Sequence, residues 1–148
     1  MNVLEPMHGY YLEDLKVGMS AVFGKTVTEA DITAFAGVSG DTNPIHLHEG
    51  FAKTSRFGHR IAHGMLSASF ISTVVGTRLP GPGSIYVSQS LNFRAPVKIG
   101  DTVTARCEIV EIVPDRKRIK LKTECLCGDK VVLDGEAVIL VPSRPLAA

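Results

Sequence analysis

The stretch GDTNPIHLHEG, residues 40–50, places an aspartate, an asparagine, a proline and two histidines within eleven positions. Asp41 and His46 stand five residues apart. A carboxylate that is ionised at neutral pH and an imidazole with an unperturbed pKa of about 6.5 make a pair able to take and return a proton. Between them, Pro44 fixes its own φ and pushes Asn43 toward extended backbone, so the two side chains leave a stiff, non-helical turn. Stiffness serves two groups that must converge on one small molecule. The same residues also fit a plain structural turn, because Asx side chains after a helix-ending glycine often bond only their own backbone. Local pattern leaves both readings open.

A second stretch, GHRIAHGML (residues 58–66), brings His63 and Gly64 to the start of a long apolar run. A glycine at a helix N-terminus presents an unobstructed N–H backed by the helix dipole, which is what a developing oxyanion needs. It can equally be there for close packing. Acid, base and amide together supply the parts for proton transfer next to a carbonyl. A different class of function is open to the histidines: His46, His48, His59 and His63 have spacings that allow metal ligation, although no nearby cysteine completes a closed zinc set.

The elements that must position these groups read as follows. SAVFGKTVT (20–28) has strand character, and Thr28 before Glu29, Ala30 and Asp31 reads as an N-cap with acids in the first turn. A helix follows with Ile32, Phe35, Ala36 and Val38 as its apolar stripe and Gly40 as its stop. EGFAKTS gives a helical turn or two, and residues 63–79 form a second long helix, apolar or small on nearly all sides and uncharged until Arg78. Such a helix is buried on most sides, and LPGPG ends it. On this helix Ala68, Ser72 and Val75 share a side with Gly64, within roughly 80° at the ~100° step per residue. They are candidates for the wall facing a substrate, and packing against a sheet would account for them equally.

From residue 83 the period changes to two. Ile85, Val87, Gln89, Leu91 and Phe93 alternate with polar residues and Tyr86, and three further strand-like runs (101–113, 118–127 and 130–141) are separated by PDRK and CGD. Long antiparallel strands with an early buried helix predict an α+β domain in which a curved sheet wraps that helix. At 148 residues one domain, 1–148, is expected, and the tail PSRPLAA reads as a frayed end.

Composition narrows the partners. Sixteen basic against 15 acidic side chains leave a formal charge of +1, which gives no electrostatic case for nucleic acid or an acidic membrane surface. The run around MLSASFISTVVG is too short and too rich in serine to span a bilayer, and the N-terminal residues show no apolar signal segment. Three cysteines, Cys107, Cys125 and Cys127, are an odd number and suit a reducing compartment. The reading is a cytoplasmic protein. The cysteines sit in strand-like runs with no neighbouring histidine, so core packing accounts for them better than a thiol nucleophile does.

The segments AGVSGDTNPIHLHEGFA, IAHGMLSAS and LPGPGSIYVSQSLNFRAPVKIGDTV together resemble the MaoC-like hot-dog proteins, most closely the (R)-specific enoyl-CoA hydratases. The likeness runs from about Asp14 to Val141 and rests on the ordered set D-x-N-P-x-H, A-H-G and G-D-x-V. It implies a hot-dog fold paired as a homodimer, a catalytic dyad at Asp41 and His46, and an oxyanion donor at the Gly64 N–H. Ser72 matches a polar residue facing the family's pocket, and Asn43 joins Ala68, Ser72 and Val75 as an expected substrate contact. The implied reaction is reversible syn hydration of an acyl-CoA substrate, a trans-2-enoyl thioester, to the (3R)-3-hydroxyacyl product, with no metal or redox cofactor. The nearest alternative is dehydration of a (3R)-hydroxyacyl carrier-protein thioester, for which Arg56, Arg60, Lys98 and residues 115–118 would form a basic collar, although solvated surface charge accounts for each of them better. A thioesterase, a histidine-cluster metal-binding protein and an inactive binding module remain as further alternatives. His48, and His59 to Ile61, depart from the family pattern and are expected to leave the dyad untouched while altering the mouth of the pocket.

Overall fold

The computed structural model of the chain describes residues 2–146. Strand β1 (Ser20–Thr26) leads into helix α1 (Glu29–Ser39), then α2 (Pro44–Leu47), α3 (Glu49–Lys53) and the long α4 (Gly64–Thr77). Strands β2 (Ile85–Gln89), β3 (Asn92–Phe93), β4 (Thr102–Val113), β5 (Arg118–Cys127) and β6 (Lys130–Leu140) complete the chain. All pairings are antiparallel in one sheet of order β1-β4-β5-β6-β2, with β3 also on β6.

The sheet's concave face carries the core. Val103, Ala105, Cys107 and Ile109 on β4, with Ile119, Leu121, Thr123 and Cys125 on β5, alternate inward and are essentially sealed from solvent, as a period of two on a half-buried sheet dictates. Against them α4 lays Leu66, Phe70, Ile71, Val74 and Val75. The sheet covers one side of α4 and leaves Met65, Ser69, Ser72 and Gly76 open on the other. In one chain, then, the helix that composition marks as buried all round is clad on one face only.

The caps of α1 are those its sequence announces: the Thr28 hydroxyl accepts the Asp31 N–H, the Asp31 carboxylate accepts the Thr28 N–H, and Gly40 closes the helix at φ 78°. Val38 leaves the expected apolar stripe; it is 90% exposed while Ile32 and Ala36 are buried. The expectation of a non-helical turn from Asp41 to His46 also needs correction. Asn43 Oδ1 accepts the Ile45 N–H and Pro44 occupies the first helical position, where its missing N–H costs nothing, so the proline starts a helical turn instead of preventing one.

The run 85–93 is two strands. Between them the Ser90 hydroxyl accepts the Glu136 N–H while the Ser90 N–H donates to Glu136 C=O. The Ser90 carbonyl presses so closely on Gly135 that no Cβ fits there. A side chain thus takes a ladder bond and the pairing restarts at Asn92 opposite Asp134. The C-terminal tail is fastened through Arg144, whose guanidinium bonds both Asp14 carboxylate oxygens at 2.7 and 2.8 Å and lies over the Tyr11 ring; the rest of the expected frayed end, residues 147–148, lies outside the described residues. Among the described residues no helix is long and apolar enough to cross a membrane.

Candidate active site

Asp41 follows the αL cap of α1, and His46 sits on the single turn of α2. The structure turns the two side chains toward each other, with His46 Nε2 and Asp41 Oδ2 4.0 Å apart. The Asp41 carboxylate serves the turn with one oxygen only: Oδ1 accepts the Asn43 N–H at 3.2 Å, which leaves Oδ2 to face His46. His46 is 8% exposed, and its Nδ1 lies 2.8 Å from the Ile61 carbonyl. A carbonyl only accepts, so Nδ1 carries the proton and Nε2 presents a bare lone pair toward Asp41. Burial pushes the His46 pKa below the ordinary imidazole value; the bond to Ile61 and the Asp41 charge oppose this, and His63 and Arg60 add to it. The contact is therefore a base beside a carboxylate rather than an ion pair at neutral pH.

The segment 60–63 grips the dyad. Arg60 Nε donates to the His46 carbonyl at 2.6 Å, and its two outer nitrogens fork onto Glu29 at 2.9 and 2.8 Å. The guanidinium in turn holds the Glu29 carboxyl below the usual carboxylate range. His63, 2% exposed, stacks on His46 with ring centres 3.9 Å apart, and its Nε2–H donates to the Asp41 carbonyl at 2.9 Å. Arg60 and Ile61 thus touch the dyad directly, contrary to the expectation that the departures at 59–61 act only at the mouth of the pocket. No local pattern signals this contact, since a bond from a side chain to a main chain 14 residues away has no spacing rule.

Gly64 opens α4 one residue beyond His63. A Cβ placed there would lie 2.6 Å from the Phe93 ring, so any larger residue has to displace that side chain. The first N–H groups of a helix have no intrahelical acceptor, and the dipole makes that end electropositive. His63, Gly64, Met65 and Ser67 line a cavity of ≈ 510 Å³ whose opposite wall is Phe93, Pro96, Val97 and Leu133, with Arg56 and Arg94 also at its lining. It is an apolar slot next to an oriented amide.

The expected substrate wall at Ala68, Ser72 and Val75 is not the wall of this cavity. Val75 is 2% exposed in the core, Ala68 packs against that core, and Ser72 is on the open face of α4. The cavity flanks only the first turn of the helix, and residues further along have moved past it. Asn43 puts its carbonyl oxygen on the Ile45 N–H, a capping duty. Sequence reasoning missed Phe93, whose alternation marked it only as a strand residue.

The four-histidine cluster does not assemble. His48 Nδ1 accepts the Phe51 N–H as the cap of α3, and His59 bonds the Arg60 carbonyl. Asp41, His46 and His63 do come together, with ligating atoms within 4.8 Å of one another. The two imidazoles are stacked with 28° between planes, and each already has one nitrogen on a main-chain carbonyl, His46 on Ile61 and His63 on Asp41. Burial pushes the thiols of Cys107 and Cys125 up to about 12, which removes them as nucleophiles at neutral pH.

An (R)-specific enoyl-CoA hydratase of Rhodospirillum rubrum is 57% identical over 135 residues, 91% of this chain and 94% of the relative. A 3-hydroxybutyryl-CoA dehydratase of Methylorubrum extorquens is 51% identical over 142 residues, covering 96% and 90%. The unliganded R-hydratase PhaJ1 of Pseudomonas aeruginosa superposes with a TM-score of 0.87 at 41% identity, covering 95% of this chain and 93% of that one. The fold is the α+β hot-dog, a long helix in a curved antiparallel sheet. A family model described as MaoC like domain matches residues 15–127, and with most of its length so matched the chain belongs to the family of MaoC-like domains.

Proposed function

We propose that the chain is an (R)-specific enoyl-CoA hydratase, a hydro-lyase that adds water reversibly to trans-2-enoyl-CoA thioesters. The observation that carries the reading is the 4.0 Å gap between Asp41 Oδ2 and the bare Nε2 of His46, next to the amide that opens α4. That gap has the width for one water to bridge with two hydrogen bonds of about 2.8 Å. The names of the most similar relatives support a coenzyme A thioester as substrate.

In the proposed reaction Asp41 orients the water and His46 Nε2 takes one of its protons as the oxygen attacks C3. The C2=C3 pair shifts toward the thioester, and the Gly64 N–H receives the charge that develops on the thioester oxygen. The imidazolium then returns its proton to C2 on the same face, the thioester carbonyl reforms, and His46 is neutral again. One water is consumed, both additions are syn, and neither metal nor redox cofactor has a step. The slot beyond Gly64 takes the acyl chain.

Two further parts belong to the same reading. A second copy of the chain covers the unpaired edge of β2 and the open face of α4, where Ile85, Val87, Phe93 and Met65 are 57, 42, 55 and 53% exposed. The three cysteines are free, which fits work in the reducing cytoplasm.

The test is loss of crotonyl-CoA absorbance on hydration. Asp41→Asn and His46→Gln each lower kcat by about 10²–10⁴-fold with unchanged circular dichroism. Turnover near the wild-type rate in either variant removes the dyad assignment.

A further inference from the structure

Of the two histidines buried among the described residues, His63 is the one the reaction leaves unused, and its surroundings are unusual for a core residue. Its ring lies between Phe35, 4.8 Å away, and His46, 3.9 Å away. An apolar ring would fill that slot without difficulty. Among the described residues, however, His63 Nδ1 is buried with no hydrogen-bond partner, a state that buried polar atoms in folded proteins seldom occupy. The other nitrogen explains why a histidine stands there. The Asp41 carbonyl can only accept, so the proton sits on Nε2, and Nδ1 is a bare acceptor left over from that choice.

We propose that His63 is the positioning residue of the dyad: one imidazole fixes the main chain of Asp41 through its Nε2–H and backs the ring of His46 by stacking. The inference rests on the assignment of Asp41 and His46 as the reacting pair. Asp41 is held at three points: its N–H donates to Ser39 Oγ, its carbonyl accepts from His63, and Oδ1 accepts the Asn43 N–H, which leaves Oδ2 to face His46. The His46 ring is held by its Nδ1–H on Ile61 and by the His63 face, and its main chain by Arg60. The 4.0 Å gap for water is therefore set by a residue that touches no reacting atom. Because Gly64 is the next residue in the chain, the oxyanion amide is fixed in the same frame. Neither Arg60 nor Ile61 does this alone, since both act on His46 and leave Asp41 free.

Two substitutions separate the two contacts. His63→Phe keeps a ring against His46 and removes the donor to Asp41, whereas His63→Gln keeps an amide donor and removes the ring. With crotonyl-CoA, His63→Phe lowers kcat about tenfold to a hundredfold, the scale of a small misplacement of catalytic groups, while KM changes by less than about twofold. His63→Gln recovers part of that loss. Wild-type kcat in His63→Phe, or a His63→Gln variant no better than His63→Phe, overturns the proposal. Should neither variant fold, ¹⁵N spectra of the imidazoles in the wild-type protein at neutral pH decide: a proton on His63 Nε2 with bare Nδ1 supports it, and a proton on Nδ1 overturns it. Failure of the wild-type protein to hydrate crotonyl-CoA would instead sink the hydratase reading itself, and is scored separately.

Discussion

At the scale of single residues, the two oxygens of the Asp41 carboxylate face different ways, one into the turn and one toward His46. Oδ1 closes an Asx turn on Asn43, and that bond aims Oδ2 at His46. The protonation state of His46 follows from its place. Burial favours the neutral ring, so its pKa in the folded chain is depressed. A depressed base stays competent further into acid. The kcat/KM profile for crotonyl-CoA should therefore have its acid limb at a midpoint below the ordinary histidine value of about 6.5, and an acid limb above that value contradicts the assignment. The linked stability has the same sign: it is fully present above the unfolded value and is lost as pH falls from there through the folded pKa, because the unfolded chain takes up the proton first.

At the scale of elements, the contact between α4 and β3 decides where the amide lies. Phe93 approaches the first turn of the helix so closely that Gly64→Ala would put a methyl 2.6 Å from its ring. The ring is 55% exposed and can swing outward. Gly64→Ala keeps the N–H but deforms the slot, and kcat/KM for crotonyl-CoA should fall by about tenfold or more. Adding Phe93→Ala should restore most of the activity by returning the space, and a double variant no better than Gly64→Ala would mean that the glycine serves something other than this contact. Helix boundaries and most strands were legible because capping and period are local: Thr28, Gly40 and residues 118–127 all behave as their neighbours dictate. The split at Ser90 and the helical turn at Pro44 were not legible, because in each a side chain replaces a main-chain partner.

At the scale of the whole molecule, the single chain is one-sided. Its sheet closes over the core face of α4, while β2 ends the sheet with an unpaired edge and exposed Ile85, Tyr86 and Val87. Monomers seldom leave such an edge open. Light scattering should give the mass of two chains, and Ile85→Lys, which puts a charge on that edge, should shift the protein toward one chain. A variant that stays paired would place the interface elsewhere.

The alternation that buries β4 and β5, the caps of α1, and an acid, a base and a helix-opening glycine in succession are written in the chain alone. Those properties depend on residues within a turn or two of each other, or on a periodic face. Only the tertiary structure decided that Asp41 and His46 converge to 4.0 Å, that Arg60 and His63 hold them by their carbonyls, and that the cavity runs past Met65 and Phe93 rather than Ser72 and Val75. Each of these is a contact between segments whose separation along the chain obeys no repeat. It exists only once the sheet has drawn α4 into place, bringing residues 41, 60 and 93 to one end of the helix.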